Sequence, residues 1–184
     1  MKEEDNYMGK KILVLSGSPR RGGNTDIMTE AFVEAAKNAG NDAKAIYIRD
    51  KDIAPCRACD YCAEHKGVCV IKDDMYDVLE EMKTTDVIVF ASPIYWFMIS
   101  AKLKIAIDRF YSMNKVGFHI TSAAMLLDSM SPDVFGGSEK MFHDMCGYLK
   151  WKEEGIVTIS GMLTKGAMKD SPNLEKVREL AANI

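Results

Sequence analysis

Four of the chain's five cysteines fall within fourteen residues, as Cys56-x2-Cys59-x2-Cys62-x6-Cys69. Two-residue gaps let three thiolates converge on one centre, and a fourth seven positions on can close it, the donor set that a [4Fe–4S] cluster needs. Zinc also accepts four thiolates, Cys59 and Cys62 have the spacing of a reversible dithiol, and a buried thiol can simply pack. The spacing leaves these readings open. Val70, not proline, follows Cys69, so the bacterial ferredoxin run is not matched. Cys146 stands alone at a helical position and reads as a small buried hydrophobe.

Two further stretches could bind a ligand. Ser16-Gly17-Ser18-Pro19-Arg20-Arg21-Gly22-Gly23-Asn24-Thr25 joins an apolar run to a helical pattern. Free N–H groups and the helix dipole at such a junction favour an anion. Ser18, Asn24 and Thr25 add donors, an arginine adds charge, and the glycines allow close approach. The pattern is neither G-x-x-x-x-G-K-[S/T] nor G-x-G-x-x-G, so a monophosphate fits better than a nucleoside triphosphate or a dinucleotide. The second stretch is Ser92-Pro93-Ile94-Tyr95-Trp96-Phe97. Three consecutive aromatics in a loop call for a cover, either a planar heterocycle lying against them or another protein surface.

The elements that would position these residues alternate regularly. Residues 11–16 (KILVLS) read as a buried strand, and 24–39 as a helix ended by Gly40. A second strand follows at 43–48. A helix capped by Asp73 or Asp74 carries Met75, Val78, Leu79 and Met82 inward. Residues 86–91 (DVIVFA) form a strand that Ser92-Pro93 should stop. The next helix buries Ile99, Leu103, Ala106, Ile107 and Phe110, with Lys102, Lys104, Asp108 and Arg109 on its solvated face. A strand over 121–127, a helix over 138–151 and a strand over 155–160 precede a last helix. That helix should start at Ser171-Pro172 and bury Leu174, Val177 and Ala181. Residues 51–72 and 129–137 show no periodicity, and residues 1–9 read as an arm in which Met8 is an alternative start.

Five strands alternating with helices imply an α/β fold with a parallel sheet covered on both faces. Right-handed crossovers favour a flavodoxin-like, three-layer, doubly wound five-stranded sheet in the order 2-1-3-4-5. Ligands of such sheets bind beyond the strand ends where the winding reverses, which is where both candidate loops lie. The reading is one domain over 1–184 with a cysteine-rich insertion at 51–72. A phosphoacceptor receiver would need acidic residues after the first strand and an Asp ending the third, but here those strands end in Ser-Gly-Ser and Ala-Ser-Pro.

The charge balance, 24 Lys plus Arg against 27 Asp plus Glu, gives no electrostatic footprint for nucleic acid or an anionic membrane. Neither a bilayer-spanning run nor a secretory pattern is evident, so a cytoplasmic protein is expected. His65, His119 and His143 are scattered and read as surface or satisfied residues.

Together GSPRRGGNT and SPIYWF resemble the NADPH-dependent FMN reductase and iron–sulfur flavoprotein group of the flavodoxin superfamily. The resemblance runs over nearly the whole chain. It implies that Ser16, Ser18, Arg20, Gly23, Asn24 and Thr25 bind the FMN phosphate end, and that Pro93, Ile94, Tyr95, Trp96 and Phe97 line the isoalloxazine. It further implies an FMN-binding oxidoreductase passing electrons from NAD(P)H to an acceptor, without an essential acid–base side chain. The alternative it carries is an electron carrier, with Cys56, Cys59, Cys62 and Cys69 holding a [4Fe–4S] cluster that exchanges electrons with a ferredoxin-like partner. A homodimer or homotetramer is expected from the aromatic loop.

Overall fold

The computed structural model describes residues 9–184, so the N-terminal arm up to and including the alternative start at Met8 lies outside the described residues. Strand β1 (Lys11–Ser16) leads to helix α1 (Asn24–Asn38), and β2 (Asp42–Tyr47) ends in a single 3-10 turn. The short α2 (Tyr61–Glu64) and α3 (Met75–Met82) precede β3 (Val87–Tyr95) and β4 (Met98–Ile99). Helix α4 (Ala101–Asp108) tightens into a 3-10 stretch over Arg109–Lys115. Strand β5 (Ser122–Asp128), α5 (Gly136–Leu149), β6 (Lys152–Ile159) and α6 (Leu174–Ala182) complete the chain.

The main sheet runs β2-β1-β3-β5-β6, all parallel, with β4 paired antiparallel to the end of β3. Without that hairpin the order is the expected doubly wound one. Strand periodicity builds two cores. Ile12, Val14, Val87, Val89, Ala124 and Leu126 pack with α1 and α6 on one face. Leu13, Leu15, Ile88, Phe90, Met125 and Leu127 pack with α3, α4 and α5 on the other. Both faces are buried, which is why these strands are continuously apolar. No described helix is long and apolar enough to cross a membrane.

Three boundaries and the placement of one side chain differ from expectation. Strand β3 is not stopped at Ala91: Ser92 and Pro93 continue in register with Leu127 and Asp128 of β5. Beyond Ala91 the strand has β5 but no longer β1 beside it, so the proline's missing N–H breaks no ladder on that side. Strand β6 starts at Lys152 because Lys152 and Glu153 pair with Ser122 and Ala123 before a register shift. The last helix begins at Leu174, after turns in which Leu174 and Glu175 donate to Ser171 and Pro172. Arg109 is not on a solvated face: it is 2% exposed, because its guanidinium pairs with Asp73, 36 residues away.

Candidate functional site

Ser16 and Ala91 are register partners on β1 and β3, so the loops that follow leave the sheet at one level. Gly17 N–H donates to Ala91 C=O at 2.8 Å, and Ser100 Oγ, capping α4, donates to Gly17 C=O at 2.7 Å. A Cβ at Gly17 would stand 2.6 Å from Leu103 Cβ, so only glycine lets this loop lie against α4.

The loop is braced from beneath. Asp26, 2% exposed in the first turn of α1, accepts from Gly22 N–H at 2.7 Å and from Arg49 Nη1 at 2.7 Å. Arg49 also donates to Ser18 C=O at 3.3 Å. Helix α1 starts at N-cap Gly23 with no side-chain cap. The opening amides of a helix have no intrahelical acceptor, so those of Asn24, Thr25 and Asp26 face the loop as free donors with the positive end of the dipole behind them. This is a built anion cradle.

The cleft above it has a volume of about 280 Å³. Ser18, Arg20, Gly23, Asn24 and Thr25 form one wall, and Pro93, Ile94 and Tyr95 a second. Asp128, Ser129 and Met130 after β5, with Met162, Leu163 and Lys165 after β6, close the remainder. Ser16 is fully buried and does not line the cleft. Trp96 and Phe97, expected to line the ring site, are not among the cleft's lining residues: they are 93% and 60% exposed, with rings edge to face at 6.2 Å. They form the two-residue loop between Tyr95 and Met98, both left-handed at φ 50° and 68°. Such loops usually hold Asn-Gly, and non-glycine residues there cost of order 1–3 kcal/mol each. The α5 end approaches the hairpin because Gly137 carries no Cβ, which would sit 3.0 Å from Phe97 O.

Asn24 lines the cleft, but its amide is engaged elsewhere. Nδ2 donates to Thr164 C=O at 2.9 Å, and Oδ1 accepts from Gly166 and Met168 N–H at 2.9 and 3.1 Å. Asn24 therefore pins the loop that carries Met162, Leu163 and Lys165 into the cleft. Spacing alone missed that loop and missed Asp128. The one sequence signal for Asp128 is an acidic residue ending an otherwise apolar strand at the ligand-binding edge. Asp128 is 5% exposed and accepts from Thr25 Oγ1, and burial pushes its carboxyl up to about 6 against the pull of Thr25 and Arg20.

The cysteine segment leaves the same edge of the sheet, after β2. Cys56 and Cys59 are exposed, Cys62 is buried on α2 and Cys69 is half-buried. Burial pushes the Cys62 thiol up, and Cys69, Cys56 and Cys59 nearby push it further. Ala58, Asp60 and Lys66 are left-handed, and Ala58 N–H donates to Cys56 Sγ at 3.4 Å. Among the described residues, however, no three or more His, Cys, Asp or Glu side chains converge on a metal position. The thiols share a neighbourhood but do not, as arranged, form a ligand set. Arg109 clips the neck of the segment, donating to Ala54 C=O at 2.8 Å and to Asp73 Oδ2 and Oδ1 at 2.7 and 3.1 Å. Cys146 is buried and its thiol is pushed up to about 12 by burial. The three histidines make local surface contacts with Tyr61, Asp86 and Glu153.

A family model described as NADPH-dependent FMN reductase matches residues 10–149. An iron–sulfur flavoprotein of Methanosarcina thermophila is 29% identical over 180 residues, 95% of this chain and 93% of that protein. One of Archaeoglobus fulgidus is 31% identical over 151 residues, 82% of this chain and 75% of that protein. Among solved structures, NAD(P)H:quinone oxidoreductase from Methanothermobacter marburgensis superposes with a TM-score of 0.72 at 20% identity. The superposition covers 95% of this chain and 96% of that one, and shows a shared fold.

Proposed function

The chain belongs to the NADPH-dependent FMN reductase family, and from that premise we propose that FMN occupies the cleft between β1, β3 and β5 and passes electrons from NAD(P)H to a small-molecule acceptor. The observation that carries this reading is the uncapped α1 N-terminus opening into a cleft with apolar and aromatic walls. The donor set suits FMN: amides and hydroxyls for a phosphate at one end, and Pro93, Ile94 and Tyr95 for a flat ring at the other.

Bound FMN would supply hydride acceptance and one- or two-electron transfer. The protein's own part is placement. Ser18, Thr25 and the amides of Asn24 to Asp26 would hold the phosphate, with Arg20 and Lys165 adding positive charge. Asn24 fixes the loop after β6 that closes one side of the cleft. A second copy of the chain, in a homodimer or homotetramer, would cover these exposed aromatics.

A second reading, an electron carrier with a [4Fe–4S] cluster and a ferredoxin-like partner, draws support from the four thiols in one neighbourhood and from the printed names of the relatives. Among the described residues the four cysteines do not, as arranged, converge on a metal position. One preparation separates the readings. Protein purified and reconstituted with FMN without oxygen should lose its flavin absorbance when NADPH or NADH is added. Flavin untouched by both nucleotides contradicts the reductase reading, and iron and sulfide near about four each per chain would favour the carrier.

A further inference from the structure

Thr25 and Asp128 meet at the phosphate end of the cleft, 1% and 5% exposed, and Thr25 Oγ1 donates to Asp128 Oδ1. That bond conflicts with the cradle around it. A phosphate dianion offers only acceptors, so a hydroxyl whose hydrogen is directed at a carboxylate has nothing to give it. The carboxylate itself also repels the incoming charge.

The surroundings do not neutralise Asp128. On α1 it faces Thr25 and, further off, Asp26, which is paired with Arg49. From the phosphate loop it faces Arg20, and the loop after β6 brings Lys165 to the same cleft, but both cations are exposed to solvent. Its register neighbours on β3 and β6 are Pro93 and Ile159, which do not titrate.

We propose, on the reading that FMN binds here, that docking of its phosphate dianion takes up one proton on Asp128 and so reverses the Thr25–Asp128 hydrogen bond. The Asp128 O–H then donates to Thr25 Oγ1, and the freed Thr25 O–H donates to the phosphate. The proton comes from solvent, and no other bond forms or breaks. Burial has already lifted this carboxyl to about 6, and a dianion beside it lifts it further. Asp128 is thus a positioning residue that makes Thr25 a phosphate donor.

The test is calorimetric titration of FMN into the apoprotein at pH 7.5, in two buffers of different ionisation enthalpy. At that pH the FMN phosphate is already mostly dianionic, with a second pKa of about 6. The dependence of the observed heat on buffer counts protons. Uptake approaching one proton is expected for the wild type and none for D128N, whose amide donates to Thr25 permanently. Wild-type affinity should fall by up to about tenfold between pH 7 and 8, while that of D128N stays level. A wild-type proton count of zero overturns the inference even if the variant does not fold, as does the same uptake in both proteins. Failure of FMN to bind the wild type at all would instead overturn the FMN reading.

Discussion

Replacing Arg109 by methionine is expected to lower the unfolding free energy by about 3–5 kcal/mol, the cost of leaving a buried charge without its partner. Asp73 would keep only the N–H groups of Ala54 and Met75. The neck of the cysteine segment would lose Arg109's bonds to Ala54 and Ile71, so its thiols should react faster with a soluble thiol reagent. Burial works against the Asp73 carboxylate, but Arg109 and the Ala54 and Met75 amides outweigh it and hold its pKa below the usual range. A depressed carboxyl pKa stabilises above the ordinary carboxylate value, and that contribution disappears as pH falls through the depressed value. The gap between wild type and R109M should therefore be widest near neutral pH and narrow below about pH 4. Adding D73N to R109M should recover part of the loss, since no charge is then stranded. Urea titrations of the three proteins check this, and a loss under about 1 kcal/mol would mean that the pair is no more than a surface bridge.

The second large effect concerns the ligand. FMN and riboflavin share the ring and the ribityl chain and differ by the phosphate. If that group sits on the α1 amides with Ser18 and Thr25, riboflavin forfeits several charge-assisted hydrogen bonds, each worth about 1.5–3 kcal/mol. Part of the gain is offset by protonating Asp128. A net difference of at least about 100-fold in Kd, or ~2.7 kcal/mol, is expected from flavin fluorescence titrations of the apoprotein. Equal affinities would place the phosphate outside the cradle.

Strand β1 coincides with its reading from sequence, because a buried parallel strand announces itself by composition and by the turn after it. The inward faces of α3 and α6 were equally legible from spacing: Met75, Val78, Leu79 and Met82, and Leu174, Val177 and Ala181, are all buried. The misreadings share one physical cause, partners distant in sequence. Arg109 carries the same local signal as Lys104 or Asp108, yet its carboxylate lies 36 residues away. Asn24 looks like a phosphate donor at a helix start, and the loop it pins is 138 to 144 residues on. Asp128 meets Thr25 across 103 residues. Pro93 looks like a strand terminator until the withdrawal of β1 from its side is known. The conformation of the cysteine segment was not legible, since its left-handed Ala58, Asp60 and Lys66 follow no periodic rule.

The most direct measurement for the central claim is a crystal structure of the protein with FMN. The account predicts the phosphate within hydrogen-bond distance of the amides of Asn24, Thr25 and Asp26, with the ring against Pro93, Ile94 and Tyr95. A phosphate held away from the α1 N-terminus, or FMN absent from this cleft, would contradict it.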